Sequence, residues 1–444
     1  MANQRNLIWI FIVLMFFIFF PVRHVFQTST TLATGNYSDF TSISLYISDI
    51  LIILLTISSI FLIDKPFYYL KTVGLYNGIL IFWLILNLFW HFQTNSGLSY
   101  WNILKWLEFL VSYGTAYIIF SKTPLKTWFF RVFLTLASFE SALALWQFHY
   151  QKSFGSILHK LGENVLNPNI LGVAKIVSGE TVRMRAYGTF PHPNLLSAFL
   201  LTGIFMALYL FLESNKIWEQ VLLGLSLFLN ILGLTVTFSR GSFLALGVGL
   251  LIFFGFILFS PSFPKRGPGR VLIRWLMIIM AISIIISFSL FRPYLSTRAT
   301  ISDSASLERI FYAKVGLQMV KAEPIFGVGV GESVLLMQQF SPIHLWPWQI
   351  QPIHNYFLLA AADLGIPGAL ILAWIFLSHL WGLIKKIKTS QGPEPTYYLL
   401  LTTILASYLL MMQFDHYFYT LQQTQLLLWL MLGIAVAEIK HPKP

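Results

Sequence analysis

Residues 217–260 read IWEQVLLGLSLFLNILGLTVTFSRGSFLALGVGLLIFFGFILFS, an apolar run whose sharp break is Ser239-Arg240-Gly241. A helix that crosses a bilayer needs roughly 17 to 25 mainly apolar residues. The run is therefore long enough for two spans, with the tripeptide as the tight turn between them. Working outward, the same test finds spans at about 7–21, 45–63, 74–91, 103–121, 127–148, 191–212, 217–238, 241–260, 272–291, 353–384, 397–413 and 420–438. The segment 353–384 is long and contains Gly365, Pro367 and Gly368, so its first part reads as a short or re-entrant helix. The first span follows Arg5 and runs into Pro21-Val22-Arg23 without a small-x-small cleavage pattern, which reads as a retained span and not a signal peptide.

Composition points the same way. Hydrophobic residues make up 57% of the 444 and charged residues only 10%, too few charges to cover a water-soluble globule of this size. The 41 Phe, 19 Tyr and 14 Trp suit a chain with many bilayer interfaces. A net charge of +12 reads in such a chain as a topology signal first, then as affinity for anionic lipid or a phosphorylated substrate, with no nucleic acid implied. The absence of cysteine excludes disulfides, thiolate catalysis and zinc–thiolate sites.

With the N-terminus inside, the inner segments carry most of the short-loop charge: Arg5, Lys65, Lys71, Lys122, Lys126, Arg131, Lys216, the basic linker Pro261–Arg274, Lys385, Lys386, Lys388, Lys440 and Lys443. The short outer turns carry Arg23, Lys105 and Arg240. This asymmetry places both termini in the cytoplasm. The expected fold is all-α, a polytopic membrane protein with about twelve transmembrane helices and two long extracytoplasmic loops. Its divisions are 1–148 (N-terminal spans), 149–190 (loop), 191–291 (central spans), 292–352 (large loop) and 353–444 (C-terminal spans). The loops are basic, with Lys152, Lys160, Lys175, Arg183 and Arg185 in the first and Arg292, Arg298, Arg309, Lys314 and Lys321 in the second. Long loops translocate whatever their charge, so topology does not account for these residues, and loops of this length usually carry function.

The second loop contains a readable short amphipathic helix, with Ser306 as N-cap, Glu308 in the first turn, apolar Leu307, Ile310, Phe311, Val315 and Met319, and Pro324 as terminator. Two readings of Arg309 stand: it faces lipid headgroups from a helix lying on the membrane, or it joins the free N–H groups of the first turn in holding an anion. Next comes Glu323-Pro324-Ile325-Phe326-Gly327-Val328-Gly329-Val330-Gly331-Glu332. No Lys-Ser/Thr follows and no strand–helix unit surrounds it, so the glycines read as backbone that bends close to another element, not as a nucleotide loop. Gln351-Pro352-Ile353-His354-Asn355 stands at the mouth of the next span. His354 is either an interfacial polar group or a proton acceptor suited to neutral pH, and His149, His192, His344 and His416 share its side of the membrane. Arg240 either snorkels to the headgroups or contributes to a site, and Arg183 and Arg185 are either solvated or ligand-facing.

Taken in order, Gly188-Thr189-Phe190 with Pro193-Asn194, then Ser239-Arg240-Gly241, then Arg309 ahead of Pro324-Ile325-Phe326-Gly327-Val328-Gly329, then His354-Asn355 followed by nine residues and Gly365-x-x-Gly368, resemble the O-antigen ligase/polymerase family of bacterial envelope glycosyltransferases. The resemblance covers about residues 140–438, and the His-Asn to Gly-x-x-Gly spacing is its most specific element. It implies a C-type, metal-independent membrane glycosyltransferase with no cofactor. Such an enzyme takes a glycan from undecaprenyl diphosphate at the outer face of the inner membrane and passes it to a hydroxyl. The acceptor is lipid A core in ligases, a growing chain in polymerases, or Ser/Thr in the related O-oligosaccharyltransferases. Matching positions imply Arg240 and Arg309 as diphosphate binders and His354 as the group that engages the acceptor. Arg183, Arg185, Glu332 and Asn355 rank behind them as substrate contacts.

The residue chemistry is compatible with this. Cleavage of a glycosyl–diphosphate bond builds negative charge on the leaving group, which metal or guanidinium must stabilise. The chain has no Asp-x-Asp pair, and Asp39 is the sole acid of the first outer loop. Arginine forks hold phosphate bidentately and keep their charge. A flippase or other transporter of lipid-linked oligosaccharide is the competing reading. It would place ionisable residues at mid-membrane depth or show repeat symmetry, and the span centres offer little beyond Glu140 and Asn230.

Overall fold

The computed structural model describes residues 2–33, 35, 37–61, 66–123, 125–259, 268–298, 304–390 and 394–440. Residues 261–267 of the basic linker, with Lys65 and Lys443, lie outside them. In chain order the helices are α1 (Ala2–Phe19), α2 (Ile47–Ile60), α3 (Pro66–Trp90), α4 (Gly97–Lys122), α5 (Lys126–Tyr150), α6 (Ile157–Lys160), α7 (Pro193–Glu213), α8 (Ile217–Val236), α9 (Arg240–Phe259), α10 (Pro268–Leu295), α11 (Ser304–Ala322), α12 (Ser333–Phe340), α13 (Tyr356–Thr389), α14 (Glu394–Met411), α15 (Tyr417–Thr420) and α16 (Gln422–Lys440). Among the described residues, nine helices are long and apolar enough to cross a membrane, and the shorter apolar helices Asn6–Phe19, Ile47–Ile60 and Pro395–Met411 join them. Together they fall on the expected spans. The chain is an all-α, multi-pass membrane protein.

Lipid selects this arrangement, because a helix satisfies its backbone polar groups internally where no water can. The innermost helices are α7 and α16, with 89% and 94% of their apolar windows buried by the rest of the bundle. Helix α7 over most of its length and α16 from Leu426 to Ala437 are apolar on every side, as a helix surrounded by other helices is. Helix α7 packs on α5, α8, α9 and α14, and α16 packs on α4 and α13. Helix α7 starts sharply, because Pro193 occupies its first turn and the His192 ring accepts from Asn194 N–H at 3.1 Å.

Two small hairpins depart from the purely helical expectation. Strands β1 (Arg23–Phe26) and β2 (Ile43–Tyr46) pair antiparallel, as do β3 (Lys175–Ser178) and β4 (Thr181–Met184), the latter turning at Gly179 with φ 59°. The first hairpin fixes the loop between its strands. Arg23 donates to Tyr46 Oη at 2.8 Å and to Asp39 Oδ1 at 2.5 Å, so the acid of the first outer loop is ion-paired. The second hairpin joins the two long loops, since Ser178 Oγ donates to Pro293 O at 2.8 Å.

Helix α13 breaks at Gly365 (φ 74°, ψ 170°), which leaves the half-helix Tyr356–Leu364 ahead of a full span. Pro367 has no N–H for the Asp363 carbonyl, so the break frees backbone groups that require partners. The glycine-rich segment supplies them. Val328 N–H donates to Ala362 O at 2.7 Å, Gly329 N–H to Asp363 O at 3.2 Å, and Ile366 N–H to Pro324 O at 2.9 Å. A Cβ on Gly327 would stand 2.5 Å from Ala362 O, so the glycines serve the close backbone approach that the sequence suggests. The amphipathic helix is α11, which begins at Ser304 and not after Ser306. Ser306 therefore lies within the first turn instead of capping it, a displacement of the size that separates any two definitions of a helix end.

Candidate active site

His354 is positioned by the half-helix. Asn355 caps that helix, its Oδ1 accepting from Leu358 N–H at 2.9 Å, while its Nδ2 donates to Gln413 O at 3.1 Å. Tyr356 N–H donates to Met412 O at 2.8 Å. These bonds clamp the residues beside His354 to the turn between α14 and α15, which carries Asp415 and His416. The His354 ring stacks on Tyr312 of α11 (5.4 Å, 18°) and meets His416 edge-on (5.0 Å, 90°). Its Nδ1 is buried and lacks a hydrogen-bond partner among the described residues. Burial holds the His354 imidazole below the usual histidine range; Asp415 opposes this and Arg309 adds to it. Burial also holds His416 well below that range, reinforced by His354, His192 and Arg309.

Behind the histidines runs a chain of polar contacts. Asp415 Oδ1 accepts from His416 N–H at 3.0 Å, and its Oδ2 from Asn194 Nδ2 at 2.7 Å. Arg185 Nη2 in turn donates to Asn194 Oδ1 at 2.5 Å, and its Nε to Thr237 O, at the end of α8, at 2.6 Å. Tyr417 Oη and His192 Nδ1 lie 2.8 Å apart. Arg309 comes from the first turns of α11, with its Nε buried and unpartnered among the described residues. Arg240 opens α9, and its Nη1 donates to Ser306 Oγ of α11 at 3.3 Å. The turn that presents it contains Phe238 at φ 49°, a left-handed conformation that bulky side chains rarely adopt.

Two cavities meet at this cluster. The larger, about 850 Å³, is lined by His354, His416, Arg309, Arg185 and Glu308 with residues of β3 and Trp348. The second, about 410 Å³, is lined mainly by apolar side chains, among them Phe238, Leu244, Ile310, Met411 and Phe418, with Arg240 at one side. Arg185, Asn194, Arg309 and Tyr417 line both. An apolar cleft and a polar chamber thus share a wall that carries guanidinium groups.

Arg240, Arg309, His354 and Arg185 are brought together, and the remaining sequence candidates are engaged elsewhere. Arg183 lies over the rings of Phe148 (5.4 Å) and Tyr294 (5.8 Å) and donates to Phe148 O at 3.3 Å, lining neither cavity. Glu332 Oε1 accepts from Ser96 N–H at 2.9 Å, Ser96 Oγ at 2.5 Å and Ser99 Oγ at 2.8 Å, so it anchors the start of α4. Asn355 acts as the cap just described. Asp415 and Tyr312 enter the cluster without having been singled out for it, and Asn194 was quoted only within the Pro193-Asn194 motif; an acid beside a histidine between two spans was the available signal for Asp415.

His354, Asp415 and His416 also place ligand atoms within 4.8 Å of one another, the one such trio among the described residues able to hold a metal ion. Two imidazoles and a carboxylate suit a divalent transition metal. Against that use, both Asp415 oxygens already accept hydrogen bonds, and His416 Nδ1 lies 2.8 Å from Thr420 Oγ1.

No curated protein matches the chain. Residues 225–373, a stretch that includes Arg240, Arg309, His354 and the broken helix, match the family model described as O-Antigen ligase. That stretch of the chain is similar to the O-antigen ligase family.

Proposed function

We propose that the protein is a membrane glycosyltransferase that moves a glycan from undecaprenyl diphosphate to a hydroxyl of a glycan, lipid or protein acceptor. The observation that carries this reading is Arg309 at the seam of the two cavities, with an apolar cleft on one side and the chamber of His354 on the other. A polyprenyl diphosphate has the matching chemistry: an isoprenoid chain for the cleft, a diphosphate for Arg309 and Arg240, and a sugar for the chamber. The acceptor hydroxyl attacks the anomeric carbon and the bond from that carbon to the diphosphate oxygen breaks. The proton passes to His354, and undecaprenyl diphosphate leaves with its charge held by guanidinium groups. A buried, neutral imidazole is the form that accepts a proton at neutral pH. Asp415 lies close enough to stabilise the imidazolium that results. The charge pattern supports a site on the extracytoplasmic side of the cytoplasmic membrane with both termini inside.

The test uses purified protein in nanodiscs, a labelled undecaprenyl-diphosphate oligosaccharide, and lipid A core, the lipid-linked glycan itself or a Ser/Thr peptide as acceptor, with EDTA present. Wild type should release undecaprenyl diphosphate and extend the acceptor, while Arg309→Ala and His354→Ala, folded by melting temperature, lose at least about a hundredfold in rate. The product mass separates ligase from polymerase. Restoration of an EDTA-silenced enzyme by a divalent metal would reassign the His354, Asp415 and His416 trio as a metal centre. Translocation of the lipid without cleavage would replace the enzyme reading with a flippase.

A further inference from the structure

The large cavity has a second feature that the transfer chemistry leaves unused. Trp346 caps the 3₁₀ turn Pro347–Gln349 and Trp348 is its middle residue; the two are 56% and 61% exposed and stack parallel with centroids 5.4 Å apart and planes 2° from each other. The turn is rigid. Gln349 N–H donates to Trp346 O at 2.8 Å, Trp346 N–H donates to Gln349 Oε1 at 2.9 Å, and the preceding Leu345 is buried with its N–H on Gln338 Oε1 at 2.7 Å. Trp348 lines the chamber that holds His354, together with Tyr37, Asp39 and Gln351. One side chain links the turn to the reactive group: Tyr312 stacks on His354 and donates its hydroxyl to Gln349 O at 2.6 Å.

Resting on the transferase reading, we propose that Trp348, backed by Trp346, is a stacking platform for a pyranose ring of the glycan being joined. A pyranose has an apolar C–H face and a rim of hydroxyls. The face suits an indole held in fixed orientation, and the rim suits the carboxylate, phenol and amide that share the chamber wall. Exposed tryptophans at a membrane protein's edge also serve as headgroup anchors. Trp348 differs from those in lining the polar chamber, and its backbone is tied through Tyr312 to the ring stack of His354. The ring on the platform can belong to the donor glycan or to a glycan acceptor, and kinetics separate the two.

Steady-state transfer in nanodiscs would be measured for wild type, Trp348→Ala and Trp348→Phe, varying the undecaprenyl-diphosphate oligosaccharide at fixed acceptor and then lipid A core at fixed donor. Trp348→Ala should raise one KM by roughly tenfold or more, the factor that 1.4 kcal/mol represents, with kcat little changed and Trp348→Phe restoring most of the loss. A rise in the donor KM assigns the platform to the donor glycan, and a rise in the acceptor KM assigns it to the acceptor. Inhibition by glycan-free undecaprenyl diphosphate should be the same in all three proteins. Unchanged KM values for both substrates overturn the proposal, as does an equal weakening of undecaprenyl diphosphate inhibition, which would make Trp348 a lipid contact. Tryptophan fluorescence with the oligosaccharide freed from its lipid by mild acid needs no turnover. If wild type releases no undecaprenyl diphosphate, the transferase reading fails, and the platform then stands or falls on whether that oligosaccharide quenches the fluorescence of wild type and Trp348→Ala abolishes the quenching.

Discussion

Replacing Gly365 by alanine tests the link between the Gly-x-x-Gly motif and the histidine eleven residues before it. Gly365 sits at φ 74° and ψ 170°, a region essentially reserved for glycine, and an alanine held there costs about 1–3 kcal/mol in backbone strain. Its Cβ would lie 1.9 Å from Ile325 O, whereas ordinary contact begins at 3.4 Å, so the two backbones must part by about 1.5 Å. That movement breaks the bonds from Val328 to Ala362, Gly329 to Asp363 and Ile366 to Pro324, each contributing ~1 kcal/mol. The sum is about 4–6 kcal/mol, with a fall of roughly 5 °C in melting temperature. Since the half-helix Tyr356–Leu364 holds the Asn355 cap, His354 moves with it and transfer falls by at least about a hundredfold. The assay pairs thermal unfolding in detergent with glycan transfer in nanodiscs. Gly78→Ala is the control, because a Cβ there meets nothing within 4 Å. A Gly365→Ala protein that melts and transfers like wild type refutes the account of the broken helix.

The pH dependence should follow His354. Burial holds its pKa below the ordinary 6.5, so transfer should be level through neutral pH and fall only where the imidazole protonates, below that value. Asp415 is the larger of the influences that raise this pKa, so in Asp415→Asn the acid limb of the pH–rate profile should move lower still. The plateau should drop by roughly tenfold or more as the developing imidazolium loses its counter-charge; an alkaline shift would contradict the assignment. Glu332→Gln should act on stability alone. The carboxylate receives three hydrogen bonds at the start of α4, so the variant should lose ~1–3 kcal/mol in unfolding experiments while the rate per folded molecule stays near wild type.

The spans were legible in the sequence because hydropathy is a local property. Lipid imposes it segment by segment, and a window of twenty residues contains the whole signal. The break in α13 was legible for a related reason, since Gly365 and Pro367 limit the backbone by their own covalent structure. Arg240, Arg309 and His354 stood out through their motifs, yet neighbouring residues of the same types in the same loops went to other work. Arg183 covers aromatic rings, Glu332 holds the start of α4 and Asn355 caps a helix. A polar side chain's role depends on which partners surround it, and those partners come from distant parts of the chain. Asn194 and Asp415 are 221 positions apart and share a hydrogen bond. Composition and periodicity determined that the chain crosses the membrane many times and where its backbone must bend. Tertiary packing alone decided which charges line the seam of two cavities, because burial and hydrogen bonding are properties of the assembled bundle and not of any one segment.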